Sequence, residues 1–278
     1  MLEKRTLRKE IVLTGIGIHS GKNVLLRLKS SSSGKMAFRR LDLGNQEVDL
    51  DPRKIEVRSS TSLTKENLKI QTVEHLLAAL YMFGIDSLVV ELEGNEIPAL
   101  DGSASPFVRA IRKAGIKPLP LKKKSIRILK PLTLEEKEAS ISFLPNSDFK
   151  ISYTIEFSHP AIRRQELSLS LNQRNFAREI APARTFGFLK DVEHLRSQGL
   201  ALGGSLENAI VLDEEKVING PLRFPDEFVR HKILDFIGDL ALLGHPLLGH
   251  FKAYKAGHNL HLKAIHFLLD SPKSWVYE

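Results

Sequence analysis

The sequence predicts an α+β protein built from two units of similar size. Its 278 residues exceed the length over which a single hydrophobic core is usual. In each half, segments with the apolar spacing of strands come before segments with the apolar spacing of helices. Between the halves, residues 117–124 (KPLPLKKK) combine two prolines with a lysine run, which is typical of a linker. We therefore expect one α+β unit in residues 1–120 and a second in residues 125–278.

The first half opens with β structure. Apolar residues cluster over residues 11–28, and residues 48–57 alternate as in a strand. The segment TVEHLLAALYMFG then predicts a helix, with Thr72 at the N-cap and Gly84 as its stop.

A strand over residues 85–92 follows this helix. It leads through a turn into a second helix, which has Pro106 in its first turn and ends at Gly115. The second half begins with strands expected in residues 125–134, 139–144 and 150–157. A loop-rich stretch comes next, and a helix, a strand and a helix complete the chain. No letter-by-letter repeat joins the halves, so only the order of elements indicates a duplicated unit.

Composition narrows the chemistry. The chain has no cysteine, which excludes disulfides, thiolate ligands and a cysteine nucleophile, and leaves His, Asp and Glu as metal ligands. The net charge of +8 fits an anionic partner or an ordinary solvated basic surface. Nucleic acid is disfavoured because the positive charge is scattered and only 7% of residues are aromatic. With no apolar stretch of signal-peptide or bilayer length, we expect a cytoplasmic protein without membrane insertion.

One helix of the second half carries a candidate metal pair. Residues 226–243 predict this helix, with Asp226 as N-cap, and place His231, Asp235 and Asp239 on one stripe. An imidazole and a carboxylate four residues apart can reach one cation. A solvated face or a simple ion pair is nevertheless the commoner meaning of this spacing.

Further candidate groups lie elsewhere in the chain. His75 could complete a set of two histidines and one aspartate, and Glu74 could stay unligated and activate water. On the residues alone, a glutamate at a helix N-terminus and a satisfied polar histidine are the favoured explanation of the pair. His258 lies in a predicted turn between small residues, where a catalytic role is conceivable. For the other histidines, including His19 and His261, we expect surface or capping roles.

The same residues carry a family resemblance. The chain resembles the UDP-3-O-acyl-N-acetylglucosamine deacetylases of lipid A synthesis in six segments, in order: TVEHLLAAL, EIPALDGSASPF, ARTFGF, GLALGGSLENAIV, RFPDEFVRHKILDFIGDLALLGH and YKAGHNL. The N-terminal GIGIHSG is similar as well. The resemblance implies two α+β domains, each a small β-sheet packed on helices, with the helices sandwiched between the two sheets and the active site between the domains.

The resemblance also implies roles for the candidate residues. His75, His231 and Asp235 would hold one Zn²⁺ per chain, with ferrous iron as the alternative metal. Glu74 would be the general base, and His258 would protonate the leaving amine. Thr185 would donate a hydrogen bond to the oxyanion, and Asp239 would orient His258 and hold its charge.

Substrate contacts follow from the resemblance in the same way. Lys232 would lie near the sugar and diphosphate of a UDP-linked acylated glucosamine, and Phe157 would pack against the uracil ring. Residues 188–211 resemble the insert that forms a hydrophobic passage for the acyl chain. Its lining would comprise Phe188, Leu189, Leu195, Leu200 and Ala201. Without the resemblance, ordinary core positions would explain the leucines.

The function implied is hydrolysis of the N-acetyl amide with release of acetate, by a protein that we expect to be a monomer. A catalytically inactive nucleotide- or lipid-binding protein of the same fold is the alternative, and nucleic-acid binding through the basic surface is a third. The intact set of seven polar groups argues against loss of catalysis. These are Glu74, His75, Thr185, His231, Asp235, Asp239 and His258.

Overall fold

The computed structural model describes residues 2–278 as a mixed α+β fold. In the first half the strands are β1 (Leu2–Leu7), β2 (Ile11–Ile16), β3 (Asn23–Ser30), β4 (Met36–Arg40), β5 (Gln46–Asp49), β6 (Ile55–Val57), β7 (Thr61–Lys65), β8 (Leu68–Ile70), β9 (Leu88–Glu93) and β10 (Ile116–Lys123). In the second half they are β11 (Ile126–Ile128), β12 (Leu132–Glu136), β13 (Ala139–Leu144), β14 (Phe149–Glu156), β15 (Arg164–Ser170), β16 (Phe186–Phe188), β17 (Ile210–Leu212), β18 (Leu247–Tyr254) and β19 (Trp275–Tyr277).

The helices divide between the halves. They are α1 (Glu74–Met82), α2 (Ser105–Ala114), α3 (Gln173–Asn175), α4 (Leu189–Ser197), α5 (Glu227–Leu240) and α6 (His258–Leu269). A π-helical turn, Phe176–Ile180, follows α3, and 3₁₀ turns occupy Leu41–Leu43, Pro52–Lys54 and Ala241–Leu243. No helix within residues 2–278 is both long enough and apolar enough to cross a membrane.

Each half contributes one main sheet. The first is five-stranded in the order β2-β3-β9-β4-β5, and its only parallel pair is β4 with β9. The second is seven-stranded: β12, β13, β18, β11 and β19 follow one another, and β14 pairs in parallel with β18 and antiparallel with β15. Smaller sheets join β1 to β10, β6 to β7 and β8, and β16 to β17. The α+β prediction is confirmed.

Helices of the two halves pack against each other. The main contact is between α1 and α5, while α5 also packs on β14 and β15 and α2 packs on β2. The two helices come close at Gly238, where a Cβ atom would lie 2.1 Å from the carbonyl oxygen of Glu74. Glycine is required there because α1 and α5 come so close that no side chain fits. This contact brings residues from both halves to one place.

Several predicted boundaries are confirmed and others are wrong. Helix α2 has a proline in its first turn and ends at Gly115, as expected. Thr72 is not the N-cap of α1, since its φ is +59° and its hydroxyl donates to the buried carboxylate of Glu96 at 2.8 Å. The predicted strand over 48–57 is interrupted by the 3₁₀ turn at Pro52, because proline cannot donate to a ladder.

The expected linker is a strand. Residues 117–124 fall almost entirely in β10, which pairs antiparallel with β1 and so ties the segment to the first half. Its prolines stand where a two-stranded ribbon tolerates a missing N–H. The division of the chain near residue 120 stays a prediction.

Candidate active site

Three ligand atoms from the two halves meet at the contact between α1 and α5. Nε2 of His75 lies 3.4 Å from Oδ1 of Asp235, and Nε2 of His231 lies 3.3 Å from the same oxygen. All three side chains are buried, and their ligand atoms lie within 4.8 Å of one another. His75 is the second residue of α1, whereas the other two lie one turn apart on α5. The helix packing therefore assembles a cluster that neither half holds alone.

His231 is in the protonation state that a metal ligand needs. Nδ1 of His231 donates to the carbonyl oxygen of Ala183 at 3.2 Å, and burial lowers the pKa of His231 to about 4. The ring is therefore neutral at pH 7, and its Nε2 carries a lone pair. That lone pair faces a carboxylate oxygen of Asp235, an arrangement that repels unless a cation lies between them. Two imidazoles and a carboxylate are a donor set that divalent transition metals accept.

Asp235 itself is kept ionised. Burial would raise the pKa of its carboxyl, but His231 and Lys232 outweigh burial and hold that pKa well below its usual range. The ammonium of Lys232 donates to Oδ2 of Asp235 at 2.7 Å. One carboxylate oxygen is thus held by a lysine, while the other faces the two imidazoles.

Glu74 lies next to this cluster as the first residue of α1. Its side chain is buried, and burial raises the pKa of its carboxyl to about 7, against the opposing effect of the His258 and His75 imidazoles. Oε2 accepts a hydrogen bond of 3.1 Å from the backbone N–H of Thr61. A carboxylate with a pKa near neutrality can accept a proton and release it again.

His258 is held by a buried aspartate. The first residue of α6, it donates from Nδ1 to Oδ2 of Asp239 at 2.6 Å. Burial alone would lower the pKa of His258, but the carboxylates of Asp239 and Asp235 outweigh it and raise that pKa to about 9. With Nδ1 committed, Nε2 is free to face the cluster, where it lies 3.7 Å from Oδ2 of Asp235. The ring is therefore protonated at pH 7 and can donate a proton from Nε2.

Thr185 lies in a segment fixed on both sides. Its N–H donates to the carbonyl oxygen of Gly102 at 2.8 Å, and its own carbonyl oxygen accepts from the N–H of Ile210 at 2.7 Å. The preceding Arg184 donates from its backbone and guanidinium to Glu227, whose carboxylate is fully buried. Thr185 borders the same cavity as the cluster.

A cavity of about 500 Å³ opens beside these groups. The predicted site residues that line it are Glu74, His75, Thr185, Phe188, Leu189, Leu195, Ala201, His231, Lys232, Asp235 and His258. Much of the remaining wall is apolar and comes from the segment that includes α4 and β17. The cavity thus joins a polar end, formed at the α1–α5 contact, to an apolar extension.

Two predicted substrate residues, Leu200 and Phe157, do not line the cavity. Asp239 does not line it either, and is connected to it through its hydrogen bond with His258. Leu200 is buried, and the residues that line the cavity do not include it. Phe157 is half-buried and packs against Phe186 and Phe188, with ring centroids 5.9 and 6.1 Å apart. Its ring is therefore one step removed from the cavity.

One histidine was misjudged from the sequence. His261 is completely buried and donates from Nδ1 to Oδ2 of Asp239 at 2.7 Å, so the expected surface or capping role is wrong. Its position three residues after His258 in a helix was the available signal. His19 borders the cavity, and its backbone N–H donates to Oε1 of the buried Glu96 at 3.0 Å. Thr61, which contacts both Glu74 and Asp239, gave no signal in the sequence.

The arrangement is typical of one class of protein. Two imidazoles and a carboxylate, with an adjacent buried glutamate, are typical of metal-dependent hydrolases. The protonated histidine on the other side of the cluster adds a proton donor, which cleavage of an amide requires at its nitrogen.

Comparison with known proteins identifies the family. The LpxC family model, described as UDP-3-O-acyl N-acetylglycosamine deacetylase, matches residues 4–270. Relatives named UDP-3-O-acyl-N-acetylglucosamine deacetylase are 45% identical in Saccharophagus degradans, covering 99% of this chain and 93% of the relative, and 46% identical in Thermodesulfovibrio yellowstonii, covering 96% and 92%. One from Pseudomonas entomophila is 46% identical, covering 99% and 93%. The chain belongs to the UDP-3-O-acyl N-acetylglycosamine deacetylase family.

Proposed function

We propose that this protein is a zinc-dependent deacetylase that hydrolyses the N-acetyl amide of UDP-3-O-acyl-N-acetylglucosamine in lipid A biosynthesis. One observation carries the proposal: the α1–α5 contact brings a cluster of two histidines and an aspartate, a carboxylate of raised pKa and a protonated histidine to one cavity. The names of the relatives supply the substrate.

His75, His231 and Asp235 would hold the metal. A divalent cation there would polarise the amide carbonyl and make water more acidic. Glu74 lies beside the cluster and takes the proton from the attacking water. His258 gives its Nε2 proton to the amide nitrogen as the carbon–nitrogen bond breaks, so that the leaving group departs as a neutral amine. Thr185 donates from its hydroxyl to the oxyanion, and Asp239 keeps His258 oriented and protonated.

The rest of the cavity would take the substrate. The apolar walls from Phe188, Leu189, Leu195 and Ala201 suit an acyl chain, which gains free energy when it leaves water. Lys232 lies at the polar end, where a cation would offset phosphate charge. Phe157 would pack against the uracil ring, and Leu200 would support the passage from behind its wall.

Three finer points belong to the same proposal. Zinc is proposed over ferrous iron, although two histidines and one aspartate accept either ion. We also propose that the protein is a monomer and works in the cytoplasm. The anionic partner of this basic protein would be its UDP-linked substrate and not nucleic acid. The alternative, a binding protein that has lost catalysis, has no missing polar group to support it.

The test is acetate release by wild type and Glu74→Ala, each stripped of metal and then given one equivalent of zinc. We expect zinc to restore the wild type only, with the variant at least about 100-fold slower because it lacks the general base. Metal content after gel filtration should be the same for both proteins. Tight metal binding without turnover by wild type would instead favour the binding protein.

A further inference from the structure

Asp239 receives hydrogen bonds from three side chains. Nδ1 of His258 and Nδ1 of His261 donate to the same oxygen, Oδ2, at 2.6 and 2.7 Å, and the hydroxyl of Thr61 donates to Oδ1 at 2.5 Å. An ionised carboxylate can only accept, so each imidazole must carry its proton on Nδ1. His261 therefore acts on Asp239 with the same atom as His258 does.

The helix explains why two rings reach one oxygen. His258 and His261 stand three residues apart at the start of α6, a spacing that places side chains on one face. Their ring centroids are 5.7 Å apart at an interplanar angle of 76°, with the carboxylate between their Nδ1 atoms. The two rings thus approach Asp239 from different directions and restrict its rotation.

The far side of His261 is also fixed. Its Nε2 lies 3.0 Å from the hydroxyl of Tyr153, and that hydroxyl lies 2.8 Å from the carbonyl oxygen of Ala256. Both His261 and Tyr153 are completely buried. His261 consequently joins the loop that precedes His258 to the carboxylate that His258 uses.

Charge and packing favour a positioning role over simple filling of the core. A buried carboxylate is costly unless its lone pairs are used, and hydrogen bonds to charged groups are worth more than neutral ones. His261 supplies one of three such bonds. If the ring only filled space, its two nitrogens would be buried without hydrogen-bond partners, which is unfavourable. Both nitrogens of His261 instead have partners.

We propose that His261 is a positioning residue of the active site, which fixes the Asp239 carboxylate through Nδ1 and thereby holds Nε2 of His258 toward the reacting amide. The catalytic part of this statement rests on the proposed deacetylase function. The geometric part does not, and it can be measured separately.

Two polar variants separate the two nitrogens of His261. His261→Asn keeps a hydrogen-bond donor near the position of Nδ1, whereas His261→Gln keeps one near the position of Nε2 only. We expect kcat to fall about tenfold or more in His261→Gln, with KM within about twofold, and to stay within about threefold of wild type in His261→Asn. His266→Gln, on the same helix but bonded to the carbonyl of Pro52, is the matched control and should keep wild-type activity.

A spectroscopic readout makes the test independent of turnover. In ¹⁵N-histidine-labelled protein, wild type should show exchange-protected Nδ1–H protons from both His258 and His261, in addition to that of the buried His231. In His261→Gln the remaining signal from His258 should shift and exchange faster, while His261→Asn should keep it close to its wild-type position.

Each outcome decides the matter. Equal kcat values in His261→Asn and His261→Gln, or an unchanged His258 signal in His261→Gln, would overturn the positioning role. So would a wild-type spectrum that lacks a protected Nδ1–H on His261, a measurement that needs no variant. If wild type shows both protons but releases no acetate, the proposed function fails and the geometric claim stands.

Discussion

At Asp239, burial and charge act in opposite directions. Burial alone would raise the pKa of its carboxyl, but the charge and hydrogen bonds of His258 and His261 hold that pKa well below its usual range. The ionised carboxylate in turn raises the pKa of His258, which keeps a proton on the ring at neutral pH. The acid of the proposed mechanism therefore depends on a residue that does not touch the cavity.

A change at Asp239 should move the alkaline side of the pH profile. An acid works only while protonated, so activity falls as pH rises through the pKa of His258. Asp239→Asn removes a negative charge that raises this pKa, and the alkaline fall should move to lower pH by about one to three units. A bound cation would shift both proteins alike, so the difference between their kcat profiles is the measurement.

Asp213→Asn, at a half-buried carboxylate that does not line the cavity, is the control for that experiment and should leave the profile in place. An alkaline limb that coincides in wild type and Asp239→Asn would show that His258 is not the acid.

Individual site residues could be predicted from the sequence only where they lie in a recognisable motif. His231 and Asp235 were found because a helical stripe and a family motif coincide, whereas His75 was assigned from the family motif alone. The structure brings the three together. His261 was missed because a histidine that directly follows a motif looks like many surface residues. Thr61 could not be identified from the sequence, because its hydrogen bonds to Glu74 and Asp239 depend on how β7 packs against α5.

Between helices, the contact at Gly238 makes a sharp prediction. Alanine is normally favoured over glycine in a helix interior by about 1 kcal/mol. Here a Cβ would lie 2.1 Å from backbone of α1, so Gly238→Ala should instead lower the free energy of unfolding by about 1–3 kcal/mol. It should also weaken zinc binding, since the ligands lie on both helices. Chemical denaturation and a zinc titration measure the two effects.

Gly187 provides the matched glycine for comparison. A Cβ there would meet nothing within 4 Å, and its backbone needs no positive φ, so Gly187→Ala should leave unfolding almost unchanged. If the two alanine variants had the same free energy of unfolding, α1 and α5 could move apart without a loss of stability, and the prediction would be wrong.

Elements with strong local signals were the easiest to predict. Proline and glycine set the limits of α2, and Gly244 in the left-handed region ends the turn after α5. By contrast, β10 was predicted to be a linker. Its pairing with β1 joins segments that are distant in the sequence, and its prolines and lysines give no local sign of that pairing. Helix α4 lay in a stretch expected to be loop-rich, since its short amphipathic pattern is weak.

For the whole molecule, the metal should act as a clamp between the halves. The α1 side supplies His75 and the α5 side supplies His231 and Asp235, so the unfolded chain has no such site. Free zinc at 100 times its Kd should then raise the free energy of unfolding by about 2.7 kcal/mol. Denaturant titrations with and without zinc measure this, and His75→Ala should abolish the difference. A gain that persists in His75→Ala would place the metal elsewhere.

The most direct test of the central claim is acetate release by metal-free wild type as zinc is added in fractions of one equivalent. One metal centre shared by the two halves predicts activity that rises linearly and stops rising at one zinc per chain. Activity in the metal-free protein, or a rise that continues to two equivalents, would contradict a single centre formed by His75, His231 and Asp235.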